Sequence, residues 1–192
     1  FITRYTYDAF NQVTSIQNAR GFTTTNLYDS AGNLTEERDP LGHVTTHSYD
    51  GQGNLLTRTD ALGNVTSNRY DNLGRMSEAT MIDALRGVLN RTTFAHDANG
   101  NQTNKTTWRT TPAGVETLVT TMVYDQENRL VLTIHPDNST NATVYSPGLD
   151  KPGIEIDPLG RQTRHFYDER GNLTNTLLAD LTSETYFFDA EN

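Results

Sequence analysis

Tyr28-Asp29-Ser30-Ala31-Gly32-Asn33-Leu34-Thr35, followed by Asp39-Pro40-Leu41-Gly42-His43-Val44-Thr45, is the stretch from which the rest of the chain can be read. Both pieces return 21 residues later, as Tyr49-Asp50-Gly51-Gln52-Gly53-Asn54-Leu55 and Asp60-Ala61-Leu62-Gly63-Asn64-Val65-Thr66. Tyr70-Asp71-Asn72-Leu73-Gly74-Arg75 opens the next repeat. Self-similarity at a fixed period signals a repeat architecture, in which each repeat packs on its neighbours. The period sets the fold before any single residue does.

Each repeat holds two Asp-x-x-Gly elements about ten residues apart. Asp at the first position of a tight turn accepts hydrogen bonds from nearby backbone N–H groups. Gly at the fourth position tolerates a positive φ, as a type I turn followed by a bulge requires. Pro40 and Pro158 follow their Asp, where φ is already set for the turn. Between turns run segments such as Val44-Thr45-Thr46-His47-Ser48-Tyr49, whose β-branched and aromatic residues favour strands. One repeat therefore reads as a β-hairpin with short connections.

Composition agrees. The 192 residues are 34% hydrophobic with a mean hydropathy of −0.66, and include 31 Thr and 18 Asn. A net charge of −9 is too dilute to imply disorder through charge repulsion. It argues against a nucleic-acid partner, since no Lys/Arg cluster is present to displace counterions. No apolar run approaches the roughly 20 residues of a membrane-spanning helix, so membrane insertion is not expected. The absence of Cys removes disulfides and thiolate metal sites.

Tyr7, Tyr28, Tyr49 and Tyr70 mark four regular starts. The chain reads as a single array over 1–192, regular at 7–75 and 157–192, with irregular insertions near 76–95, 104–123 and 138–156. Met81 to Val88 is read as a longer hairpin or insertion. His96-Asp97-Ala98-Asn99-Gly100-Asn101 resumes the motif. In Tyr124-Asp125-Gln126-Glu127-Asn128-Arg129, Asn replaces the Gly, as a residue tolerant of the left-handed region. Asp157-Pro158-Leu159-Gly160-Arg161 and Tyr167-Asp168-Glu169-Arg170-Gly171-Asn172 restore the pattern. Phe1 to Tyr7 and Thr185 to Asp189 read as terminal strands, each leading into a turn of the same kind.

The double motif, Tyr-Asp-x-x-Gly-Asn-Leu-Thr coupled to Asp-Pro-Leu-Gly-x-x-Thr, resembles the RHS, or YD, repeat family over nearly the whole chain. The resemblance implies hairpins added side by side into a long strip that spirals into a hollow shell. It also implies kinship with toxin-complex cocoons, polymorphic toxins and teneurins, which work at or outside the cell surface. The expected fold class is all-β: repeats of about 21 residues laid side by side as a curved strip or solenoid, part of a shell or filament. Roughly 17 strands at about 4.8 Å would extend about 80 Å. Apolar side chains gather beside the turns, at Leu34, Leu55 and Leu173, so no continuous apolar face exists for a compact sandwich.

No residue set points to catalysis, a cofactor or a metal. His43 and His47 lie four apart, about 13 Å on a strand, too far for one ion. Asp97 to Asn101 lacks the acid at the twelfth position that a calcium loop needs. Neither a nucleophile elbow nor a phosphate-binding Gly loop is present. The recurring Tyr residues are expected to form in-register aromatic ladders rather than sugar platforms, and Trp108 to pack. Eight N-x-Thr sequons make Asn33, Asn64, Asn90, Asn101, Asn104, Asn138, Asn141 and Asn172 candidate glycosylation sites. Composition alone gives about four such sequons, and Asn33, Asn64, Asn101 and Asn172 belong to the repeat itself. Asn138 and Asn141 share an irregular loop.

The reading that follows is a non-enzymatic scaffold, a shell segment of a secreted or cell-surface RHS-type protein. Its partners are flanking repeats of the same polypeptide or other copies of itself, with an encapsulated cargo domain. Two alternatives come from other classes. One is an extracellular filament subunit joined by strand pairing of its ends, and the other a carbohydrate- or receptor-binding adhesion module.

Overall fold

The computed structural model describes residues 2–188. Among them are strands, turns and no helix. The seventeen strands are β1 (Arg4–Tyr7), β2 (Val13–Gln17), β3 (Thr23–Tyr28), β4 (Leu34–Arg38), β5 (Val44–Tyr49), β6 (Leu55–Thr59), β7 (Val65–Tyr70), β8 (Met76–Asp83) and β9 (Gly87–His96). They continue as β10 (Gln102–Thr111), β11 (Gly114–Tyr124), β12 (Leu130–Ile134), β13 (Thr140–Tyr145), β14 (Pro152–Ile156), β15 (Gln162–Tyr167), β16 (Leu173–Leu177) and β17 (Ser183–Thr185). All belong to one hydrogen-bonded sheet. From β1 to β9, and from β11 to β17, each strand pairs antiparallel with its successor. The all-β run of hairpins expected from the period is the fold found.

The chain forms two compact units. One is the chain up to Thr93 with Thr107–Thr117; the other is Phe94–Thr106 with the chain from Leu118 onward. Neither has a conventional core, since no hydrophobic side chain is fully buried among the described residues. Thr176, at 7% exposure, is the most enclosed polar side chain. Stability must therefore come from the ladder and from the turns.

The turns explain the motif residue by residue. At Asp50 the Gly53 N–H donates to the Asp50 carbonyl (3.1 Å), and the Asp50 N–H donates to the Asn54 carbonyl (3.0 Å). The Asp50 Oδ1 accepts from the Gln52 and Asn54 N–H groups at 2.9 and 2.8 Å, and its Oδ2 accepts from Asn54 Nδ2 at 2.9 Å. Gly53 has φ 85°, a region closed to β-branched side chains. The same five-residue device recurs at Asp29, Asp60 and Asp168 with Asn at its fifth position. His43, Arg75, Arg129 and Arg161 take that position elsewhere and reach the same carboxylate oxygen. Asn128 does replace Gly in the left-handed region, at φ 62°.

The Thr of Gly-Asn-Leu-Thr has its own task. Leu27 faces Glu36 while Tyr28 faces Leu34, so Thr35 is the extra residue of a bulge. Its hydroxyl donates to the Leu27 carbonyl at 3.3 Å, as Thr174 does to Phe166 at 3.0 Å. The register skips at the same place before Tyr7, Tyr49, Tyr70, Tyr124, Tyr145 and Tyr167.

Where the period slips, the strands lengthen. β8 to β11 have 8 to 11 residues against 4 to 6 in β1 to β7. Met81 to Val88 is the tip of the β8–β9 hairpin, where Asp83 Oδ1 accepts from the Leu85 and Arg86 N–H groups. The degenerate turn after Tyr145 is one residue longer than the rest, closed by the Ser146 N–H on the Lys151 carbonyl at 2.9 Å. Two expectations for the ends need correction. β1 starts at Arg4, and β17 stops at Thr185 rather than running on from it. The expected continuation through Asp189 lies outside the described residues.

Candidate functional site

The tyrosines are the recurrent functional-looking side chains, and their use differs from the expected aromatic ladder. Tyr28, Tyr49, Tyr70 and Tyr167 each donate the phenolic hydroxyl to a backbone carbonyl 15 residues earlier: Val13 (3.0 Å), Leu34 (2.9 Å), Leu55 (3.0 Å) and Pro152 (2.9 Å). Tyr145 does the same with Leu130 at 3.3 Å. Each acceptor is the first residue of the preceding strand, beyond the last residue that strand pairs with the tyrosine's own. A buried carbonyl needs such a donor. Tyrosine supplies both the flat apolar body and the polar tip. The ring stacking found is between Tyr5 and Tyr7, with centroids 6.5 Å apart.

Asn26 and Asn68 share the clamped carbonyls of Val13 and Leu55. His47 stands at the same repeat position, where its Nδ1 is buried without a hydrogen-bond partner among the described residues. Burial, reinforced by the Arg58 guanidinium, pushes its pKa down, so it is a neutral strand residue at pH 7. His43 is spent on Asp39, at 2.8 Å. No group of three or more His, Cys, Asp or Glu is placed to hold a metal among the described residues.

The aspartates carry most of the shifted acidities. Asp29, Asp50, Asp60 and Asp97 are held below the usual carboxylate range chiefly by the amide of the Asn four residues on. Hydrogen bonds from Arg129 and His43 do the same for Asp125 and Asp39. All of this lowering stabilises the charged form of the turn carboxylates.

The sequon asparagines divide by structure. Nδ2 of Asn33, Asn64, Asn101 and Asn172 donates to the turn carboxylate, and that of Asn104 to Thr121. Asn90 accepts from Thr92, and Asn141 pairs with His135 Nε2 at 2.6 Å. Asn138 is exposed in a tight turn at φ 64°, whereas Asn141 lies within β13, opposite Thr133, so the two do not share an irregular loop. At Asn33, Asn101 and Asn172 the Thr two further on bonds a carbonyl of the preceding strand, whereas Thr66, after Asn64, faces Arg58 in a regular pair.

In the second unit a trough of about 660 Å³ is lined by Asn141, Thr143, Glu155, Asp157, Arg161 and Asp180, among others, with no aromatic ring. Trp108, in the first unit, lies beneath the Arg91 guanidinium at 5.1 Å. Arg91 in turn donates to Glu78.

The family model described as RHS Repeat matches residues 28–65 and 49–88. Residues 28–88 of this chain belong to that family. Its tyrosine, aspartate, glycine and threonine positions are those just accounted for. The described RHS fold is similar to that in the crystal structure of TcdB2-TccC3-Cdc42, with a TM-score of 0.64 and 16% identity over 92% of this chain. It is also similar to TcdB2-TccC3-TEV, with a TM-score of 0.50 and the same identity and coverage. This chain spans 12% of the length of each of those chains. No curated protein sequence matches it.

Proposed function

We propose that the RHS chain is a non-catalytic wall segment: a strip of hairpins that, with further repeats, forms part of a shell around cargo in a secreted or cell-surface protein. The observation that carries the reading is the use of the polar side chains. The repeat Asp, Asn, Thr and Tyr residues are bonded to their own turns, bulges and neighbouring strands. A wall needs a polar, self-satisfied surface on both faces, and the chain has no fully buried hydrophobic side chain among the described residues. The likeness to TcdB2-TccC3 over 92% of the chain supports the wall geometry, and the resemblance to surface-acting RHS proteins supports export.

Two measurements test it. Screening the purified chain against hydrolase substrates and a glycan array is expected to give neither turnover nor binding. Saturable glycan binding would replace the wall with an adhesion module. Fractionating cells that make the full protein is expected to place it outside the cytoplasm.

A further inference from the structure

Of the 18 asparagines in the chain, only Asn99 is followed by glycine. The pair has a chemistry of its own. The backbone nitrogen of the next residue can attack an Asn side-chain amide, and glycine puts no Cβ in its way. Asn99 and Gly100 are exposed, at the third and fourth positions of the turn that joins β9 to β10. The Gly100 N–H donates to the Asp97 carbonyl at 3.2 Å, and Asn99 Nδ2 donates to Asn128 Oδ1 at 2.7 Å. Asn128 lies in another turn of the second unit, between β11 and β12, and also accepts from Asn101 Nδ2 at 2.9 Å.

Asp50-Gly51 has the same follower in a different setting. Its carboxylate accepts hydrogen bonds from Gln52 and Asn54 at 2.8 and 2.9 Å, and the Asn54 amide holds its pKa below the usual carboxylate range. A bound, charged carboxylate is a poor electrophile, whereas the Asn99 amide is neutral.

We infer that Asn99 is a self-modification site, the asparagine that this fold commits to spontaneous succinimide formation. The Gly100 nitrogen bonds to Asn99 Cγ, the Cγ–Nδ2 bond breaks, and Nδ2 leaves as ammonia with the former Gly100 amide proton. Water then opens the ring. Opening at Cγ leaves an aspartate; opening at the main-chain carbonyl leaves an isoaspartate, with one more methylene in the backbone. Both products remove the donor to Asn128 and add a negative charge two residues from Asp97. Isoaspartate also lengthens the turn that the Asp97 N–H closes on the Asn101 carbonyl at 2.9 Å. The result is an irreversible loosening of the link between two turns of the second unit. Attack requires the Gly100 N–H to leave Asp97 and the amide to leave Asn128, so the rate follows the population of the open turn. None of this depends on the wall reading.

The purified chain is held in neutral buffer and followed by peptide mapping, with isoaspartate counted by enzymatic carboxyl methylation. Loss of the amide at Asn99 is expected to outrun that at any other asparagine at least about tenfold, with Asp50 unchanged in the folded chain. Asn128→Gly, which frees the amide and puts the commoner turn residue in its place, should speed the reaction about threefold. Gly100→Asn should slow it at least about tenfold, because a Cβ then crowds the attacking nitrogen. The fold accepts Asn there, since Asn11, Asn128 and Asn138 fill the same turn position at φ 65°, 62° and 64°. An Asn99 amide as long-lived as the others, or a Gly100→Asn chain that reacts as fast as the unsubstituted one, overturns the inference. So does isoaspartate at Asp50 ahead of Asn99, or an unchanged rate in Asn128→Gly, which would remove the contact between turns as the gate.

Discussion

The two units solve the same problem with different chemistry. In the first, Gln12, at the fifth position of its turn, donates to the Gly32 carbonyl 20 residues on, at 2.9 Å. In the second, the same span is bridged by cations. Arg129 reaches the Leu149 carbonyl at 3.3 Å and lies over Tyr145 at 4.3 Å. Lys151 reaches the Gly171 carbonyl and lies over Tyr167 at 5.5 Å. Arg129 also pairs with Asp125 at 2.7 Å. One staple is neutral; the other joins charge, ring and carbonyl. The geometry of the repeat fixes where a donor must be, and leaves its charge free.

The largest expected effect acts on what the units share. The turn aspartates have lowered pKa values in the fold, so their contribution is fully present above the unfolded carboxylate pKa of about 3.9. It is lost as pH falls through the lower folded values. The urea midpoint should be flat above about pH 5 and fall steeply below about pH 4 in both units, read by amide exchange. A midpoint independent of pH down to 2 would mean that these hydrogen bonds add nothing.

Next in size is Gly63→Val, expected to cost the first unit about 1–2 kcal/mol or more, since φ is 83° and a Cβ would meet that of Ala84 at 3.3 Å. Thermal melts that superimpose on the unsubstituted chain would break the turn assignment. Tyr49→Phe removes the clamp on Leu34 and should cost about 1 kcal/mol. Tyr145→Phe, with its 3.3 Å bond, should cost less. Equal losses would show that ring packing, not the hydroxyl, is what the motif needs.

The smallest effect sharpens the contrast itself. Lys151→Met should destabilise the second unit by about 1 kcal/mol at low salt and by less in 1 M salt. Gln12→Ala in the first unit should show no salt dependence. The same salt response in both would remove the distinction between neutral and cationic staples.

Much of this was legible in the sequence because the signals are local. Asp and Gly three apart close a turn using only atoms within five residues, so spacing alone placed Gly53, Gly63 and Asn128. Periodicity, in turn, gave about 17 strands. The aromatic ladder was misjudged for a physical reason. A tyrosine and a carbonyl 15 residues apart meet only because their two strands pair in one particular register, and no propensity scale carries that register. The sequons were ambiguous for a related reason, since Asn33 and Thr35 read alike as a glycan acceptor and as a turn residue with its bulge partner.

The sequence by itself determined the repeat, its hairpin, the turn geometry and the lack of any apolar face able to make a core. It could do so because those properties depend on neighbours in the chain. Only the tertiary structure decided which carbonyls the tyrosines satisfy, which asparagine amides are already spent, and where Arg129 and Lys151 reach. Each of those contacts spans a strand pair, and its partner is fixed by pairing register rather than by distance along the chain.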